Sequence, residues 1–485
     1  MELNKFVNAF SLGQARADRM KRIRAKSTKL VFSDLGFELE KRQLLATFSY
    51  SSGLLTIQTN SANEELSIIS TSESGNYTLT TSGSWSGSPV SGLSNTSTSL
   101  YVNQPSGLAS ILINDNNGTV SNSWFSFGSS SANFVTNLTV NFTNSTAGEI
   151  TVANPISFIG GKSVSLTTTK NLIHILSPIS AKSNGSIILT GRTIQVTGNP
   201  TDLANLASAI PITTESGDII LTGNSSSFLT GGYKGIQLDN ANLTSISGNI
   251  VIDGQASSDG DYGVYINGEV YDITGDPIPN CRTSILETGG QGNISITGVI
   301  GDAINPGSSG VFLNTIIVQT NNGSFAMNGL LNSSSFISVS SAVRFSGSNF
   351  TSSGSGNFNM SGNTTANGDD LRGAIVDRST IHVSSGSVNI TGDNYAGGNL
   401  PQGAYFLGST IRSNGSGNIS VSGTNYNNST NASAAIYGDG SNLFENTNGT
   451  IAINGISYDQ NTTLTPCGVY LKNLVHPTEA RKPLK

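Results

Sequence analysis

The chain is poor in almost everything that usually carries chemistry. Of its 485 residues only 11% are charged and three are histidines, whereas roughly 25% of an ordinary globular domain is charged. His174, His382 and His476 stand far apart in the sequence, so neither a His-metal cluster nor a Ser-His-Asp triad is supported. The two cysteines, Cys281 and Cys467, are separated by 186 residues without CxxC spacing, which indicates neither a disulfide scaffold nor a zinc site. No apolar run approaches the roughly 18 residues of a membrane span. The first thirty residues are basic, but they lack the apolar stretch of about 7–15 residues that defines an ordinary signal peptide.

What replaces charge is Ser, Thr, Asn and 56 glycines. Short polar side chains compete for backbone hydrogen bonds and glycine loses entropy in a helix, so this composition favours turns and strands. The net charge of −6 is unevenly spread. Residues 1–42 carry ten Lys and Arg against five Asp and Glu, and the remainder carries fourteen against twenty-five. An acidic, aromatic-poor body does not offer the clustered cations that nucleic acid requires, so no nucleic-acid partner is expected.

A glycine-flanked phrase then recurs almost on a clock, as in ESGDIILTG at 215–223, ISGNIVIDG at 246–254 and SGNISVSG at 416–423. Its first glycines are Gly185, Gly217, Gly248, Gly292, Gly323, Gly356, Gly386, Gly417 and Gly449, spaced by 32, 31, 44, 31, 33, 30, 31 and 32 residues. Repetition at such a period signals a solenoid. Ile419 and Val421 alternate with polar neighbours in the manner of a strand buried on one face.

A second apolar phrase precedes each copy: GIQL from Gly235, GVYI from Gly263, GVFL from Gly310, AVRF from Ala342, GAIV from Gly373, GAYF from Gly403, AAIY from Ala434 and GVYL from Gly468. A third, shorter strand is anchored at Leu243, Leu286, Ile317, Phe350, Ile381, Ile411 and Leu443. The prediction is all-β: a right-handed parallel β-helix of three short strands per coil of about 31 residues, with a β-rich N-terminal cap. Polar connectors (NTTANGDDLR, DNYAGGNLPQ, TNYNNSTNAS) read as loops leaving the stack, and EVYDITGDPIPNC at 269–281 reads as an insertion. One coil alone cannot offset its ordering entropy, so stability must come from stacking. Like residues are expected in columns, with Asp239, Asn267, Asn314, Ser346 and Asp377 following the first strand on successive coils.

The resulting organisation is a basic leader at 1–46, a β-rich cap at 47–149 that covers an otherwise unpaired end, coils at 150–475 and a basic tail at 476–485. The sequence stops inside what should be another coil, which points to a truncated fragment of a larger protein or to a self-associating end. Within the leader, LEKRQLLATFSY at 39–50 resembles the LEPR-XLL motif of large planctomycete surface proteins. Leu39, Glu40, Arg42, Leu44, Leu45 and Ala46 match, and Lys41 stands where the family has proline. The resemblance implies a giant exported or cell-wall protein with a targeting motif. Residues 150–475 also resemble filamentous-haemagglutinin-type adhesin repeats.

Candidate chemistry is sparse. Glycoside hydrolysis needs two carboxylates about 5–10 Å apart, whereas Asp239 and Asp377 share a column four coils apart, about 19 Å at the strand spacing. His382 and Arg412 occupy matching positions on neighbouring coils, without a carboxylate expected beside them. The acidic loops with Asp259 and Asp261, and with Asp369 and Asp370, could hold calcium, but the nonapeptide calcium-roll pattern is missing. GGKS at 160–163 lacks the first glycine of a phosphate loop and reads as a turn. No catalytic, cofactor-binding or metal-ligating residue is therefore assigned. The expectation is a non-enzymatic, secreted or cell-surface rod that presents repeated weak contacts to carbohydrate, extracellular matrix or other cells. The alternative is a carbohydrate-active β-helix enzyme, a lyase or hydrolase.

Overall fold

The computed structural model describes residues 45–59, 65–70, 76–87, 91–103, 107–115, 124–128, 132–143, 149–197, 209–225, 234–256, 261–269, 284–303, 305–395, 398–426, 434–458 and 467–472. Their regular structure is strand throughout, and it forms a parallel β-solenoid. Three long sheets of 15, 16 and 11 strands run along it, and each coil visits them in turn. Ile419–Asn425 lies in the first sheet, Ala434–Asp439 in the second and Leu443–Asn446 in the third.

Alternation dictates the core. Ile419 and Val421 point inward and are buried, as are their partners Val388 and Ile390 one coil before. In the third sheet the inward column is Leu243, Leu286, Val318, Phe350, Ile381, Ile411 and Phe444. The expected anchors Ile317 and Leu443 are each one residue out of that column. A strand has a side-chain period of two, so this slip moves both from the core to the outer face. Each has an apolar neighbour in the next position, which is why the pattern alone did not separate them.

The clock glycines exist because of close approach between coils. Gly386 has an ordinary backbone conformation, but a Cβ there would overlap the carbonyl oxygen of Gly356, and Gly417 stands in the same relation to Gly386. Only glycine lets the backbones stack at that corner.

Two hydrogen-bonded columns fasten the coils. Beside the clock glycine, the Oδ1 of Asn357 accepts the N–H of Ser387, whose Oγ accepts the N–H of Asn418, whose Oδ1 accepts the N–H of Thr450. The chain of such bonds runs unbroken back to Asn137. Between the second and third sheets the polarity reverses. There Ile316 donates to Ser348, Ser348 to Ser379, Ser379 to Ser409 and Ser409 to Asn442, over 3.0–3.3 Å through fully buried side chains. Each oxygen satisfies a backbone donor that burial would otherwise orphan.

Parallel stacking begins earlier in the chain than the clock does. Leu54–Thr59 pairs in parallel with Ser110–Asp115, and Glu65–Ser70 with Trp124–Phe127. The coils that follow are shorter than the clock: Val164 lies over Leu138 and Ile187 over Val164, 26 and 23 residues apart. Antiparallel strands then close the end. Leu45–Ser51 pairs with Leu54–Thr59, and Asn76–Thr81 and Ser99–Asn103 extend the second sheet. Tyr77 covers the third sheet, stacking on Phe134 at 5.2 Å, and its hydroxyl accepts the N–H of Val135 at 3.0 Å. Phe134 stacks in turn on Phe158 at 4.8 Å. Burial raises the Tyr77 pKa, partly offset by its bonds to Thr136 and Val135.

The connectors from first to second sheet depart from expectation. Residues 332–340 and 365–371 stay on the stack, where Phe336–Ser338 and Asn367–Asp369 form a parallel pair. Beneath them Ile337, Leu331, Ala366 and Leu371 make a small core of their own. Most of the 269–281 insertion, Asp259, Cys281, His476 and Leu39–Leu44 lie outside the described residues. Leu45 and Ala46 open the first strand.

Candidate functional site

The outer face of the second sheet changes character along the solenoid. In the early coils one outward column reads Ser126, Thr151, His174, Gln195 and Gln237. Two of them, Ser126 and Thr151, line a cleft of about 380 Å³ together with Glu65, Ser67, Thr80 and Trp124. The His174 ring bonds the Thr197 hydroxyl at 3.0 Å and lies 3.6 Å from Glu149. That contact holds the Glu149 carboxyl below its usual range, against the opposing effect of burial.

The same column becomes aromatic and cationic from Tyr265 onward. Gln237 is followed by Tyr265, Phe312 and Arg344 on successive coils. Tyr262 stacks beside Tyr265 at 4.8 Å, and the Lys234 ammonium sits 4.5 Å from the Tyr265 ring centre. Burial lowers the Lys234 pKa and raises that of Asp239, while their mutual attraction opposes both shifts. Arg344 covers the Phe312 ring at 4.9 Å and pairs with Asp377 at 3.2 Å.

Farther along, the column ends in Tyr405, Tyr437 and Tyr470, with ring centres 5.7 and 5.2 Å apart and planes within 18° of parallel. Arg372 lies over the Tyr405 ring at 4.5 Å. The same three coils carry a second ladder where the first-sheet strand ends: Tyr395, Tyr426 and Tyr458, 4.3 and 4.8 Å apart and within 9° of parallel. Tyr426 is sandwiched on both faces yet remains 44% exposed, so its ring edge and hydroxyl are what solvent meets. Tyr395 has a raised pKa, first because of its hydrogen bond to Tyr426.

The residues weighed from the sequence fall as follows. Asp239, Asn267, Asn314, Ser346 and Asp377 do form one column, so the two carboxylates are four coils apart. Burial alone would raise the Asp377 pKa, but bonds from Arg378, Ser346 and Arg344 prevail and lower it. His382 and Arg412 are neighbours in the third sheet, but a carboxylate does stand beside them. Glu445 follows Arg412 on the next coil and accepts its guanidinium at 2.8 and 2.6 Å. The sequence hides that pairing because Leu443 and Phe444 are both apolar, and with Leu443 inward the partner of Arg412 would be Phe444 in place of Glu445.

Asp261 accepts from Asn305 and Asp369 from the N–H of Asn399, while Asp370 pairs with Arg372. Among the described residues no group of three or more His, Cys, Asp or Glu side chains converges as a metal site. Gly160 and Gly161 both take left-handed conformations in a turn. Cys467 is a free thiol on a second-sheet strand.

The tyrosine ladders escaped the sequence reading for a one-residue reason. Read as AAIY from Ala434, the phrase sets Tyr437 opposite Phe406, an inward position. The observed register sets Ala435 opposite Gly403 and Tyr437 opposite Tyr405. The second ladder had a plain signal, a tyrosine three residues after Gly392, Gly423 and Gly455. Comparison with family models, curated proteins and solved structures gives no match.

Proposed function

We propose that the protein is a secreted or cell-surface rod that acts by extent, presenting repeated weak contacts to carbohydrate or matrix without turning them over. The observation that carries this reading is the register of the outer columns, in which side chains of like chemistry recur from coil to coil along one face. A polymer lying along such a face meets the same group several times, and linked weak contacts multiply.

The test is binding of purified chain to soluble polysaccharides and matrix polymers of graded length. Affinity should rise steeply with length, by about 10²–10⁴ from single unit to polymer, while reducing ends and unsaturated products stay at background. Turnover of any polymer would replace this reading with the enzymatic alternative. Contact between copies through the solenoid end is a second reading. Ile451 and Val469 of the last described coil are 43% and 37% exposed, whereas their partners Ile419 and Ile436 are fully buried. Concentration-dependent sedimentation would register it.

A further inference from the structure

Six tyrosines in two ladders confined to the same three coils are a surface with a definite chemistry. Each ladder repeats a phenol along the axis at 4.3–5.7 Å, close to the roughly 4.8 Å spacing of the strands themselves. Stacking covers the faces of the inner rings, so the surface offers ring edges and hydroxyls in rows.

The surroundings are polar, with carboxylates as neighbouring charges: Asp393 lies on the strand that leads to Tyr395, and Asp439 on the strand that carries Tyr437. Outward on the adjoining first-sheet strands are Asn389, Thr391, Ser420 and Ser422. Arg372, which lies over the Tyr405 ring, is also engaged by Asp370 and the Gln402 amide oxygen. An acidic polymer would meet the carboxylates of Asp393 and Asp439 as well as the exposed Lys472, so charge offers it no net attraction. Hydroxyl and amide groups repeated in line with ring edges suit a partner that is itself linear, neutral and rich in hydroxyls.

Size argues the same way. Three coils span about 10 Å along the axis, far too short a strip for the roughly 800 Å² per partner of a stable protein interface. It is long enough to meet a few consecutive units of a chain polymer. We infer that the two tyrosine ladders, Tyr395–Tyr426–Tyr458 and Tyr405–Tyr437–Tyr470, form a binding strip for a neutral polysaccharide lying along the solenoid axis. The inference rests on the carbohydrate-display reading and names its site and the charge class of its ligand.

The experiment is native affinity electrophoresis of the full chain in gels containing glucomannan, dextran or polygalacturonate, with an empty gel as reference. Glucomannan or dextran should retard the wild type. Y395A/Y426A/Y458A and Y405A/Y437A/Y470A should each weaken retardation about tenfold or more as avidity is lost. Tyr101→Ala, at an exposed tyrosine of the N-terminal cap, should leave it unchanged. The Tyr→Phe versions keep ring contacts and lose hydroxyls, so intermediate retardation is expected, and they separate binding from folding if an alanine triple fails to fold.

Retardation by a neutral polymer that survives both ladder replacements would overturn the site while leaving display intact. Retardation by polygalacturonate alone would overturn the neutral-ligand assignment in the same way. No retardation in any gel would remove both this inference and the carbohydrate reading beneath it.

Discussion

The two ends of the described solenoid place their aromatic rings differently. At the N-terminal end antiparallel strands and the buried Tyr77 replace the missing rung, and the third-sheet column closes as Tyr77, Phe134 and Phe158. In the last three coils the aromatic rings stand outside, and the inner column of the final coil is partly exposed. Aromatic stacking is thus buried at one end and exposed at the other. The position of the ring relative to the strand pleat decides which.

The largest expected effect comes from opening the closed end. Tyr77→Ala removes a buried ring and two hydrogen-bond acceptor contacts, and should cost about 3–5 kcal/mol in denaturant unfolding, whereas Tyr458→Ala should cost well under 1 kcal/mol. Equal losses would erase the contrast. Next, Gly386→Ala forces a methyl group against the Gly356 carbonyl and should destabilise by about 1–3 kcal/mol or more, with calorimetry as the readout. Ser379→Ala orphans the buried N–H of Ser348 and should cost about 1–3 kcal/mol, while Ser→Ala at the outward-facing, half-buried Ser420 should be near neutral.

The smallest effect is confined to acid. Asp377 has a lowered pKa, so its contribution is present above the ordinary carboxylate range and is lost as pH falls through the lower folded value. Asp239, in the same column, has a raised pKa, so its protonation favours the folded chain as pH falls. Stability measured from neutral to acidic pH should therefore decline less in Asp377→Asn and more in Asp239→Asn. Parallel curves for the two variants would show that their surroundings do not differ as the contacts imply.

Much of this fold was legible because stacking imposes identity at the same place in every coil. Gly217, Gly248 and Gly386 announce a corner where nothing larger fits, and Ile419 and Val421 announce the inward face. Legibility failed where two adjacent residues were both apolar, as at Ile317–Val318 and Leu443–Phe444, since only pairing in three dimensions chooses between them. It failed also in the early coils, which are shorter than the clock and lack its glycine, as where Lys162 precedes Gly185 in the stack. Tyr405, Tyr437 and Tyr470 were visible as letters, but their alignment depended on a register that one ambiguous alanine shifted, whereas Tyr395, Tyr426 and Tyr458 keep a fixed distance from the glycine before them.

The long interval between Gly248 and Gly292 leaves its flanking strands in perfect step, Ile250 over Ile219 and Ile294 over Ile250. The additional sequence thus adds no step along the axis, whose length changes only in whole steps. Duplicating a unit of about thirty residues would lengthen the molecule by one strand spacing, roughly 4.8 Å, and disturb no neighbour. Removing a single residue from inside a strand would turn its core face outward. Such a molecule can gain or lose reach by tandem duplication, with its cross-section as the invariant.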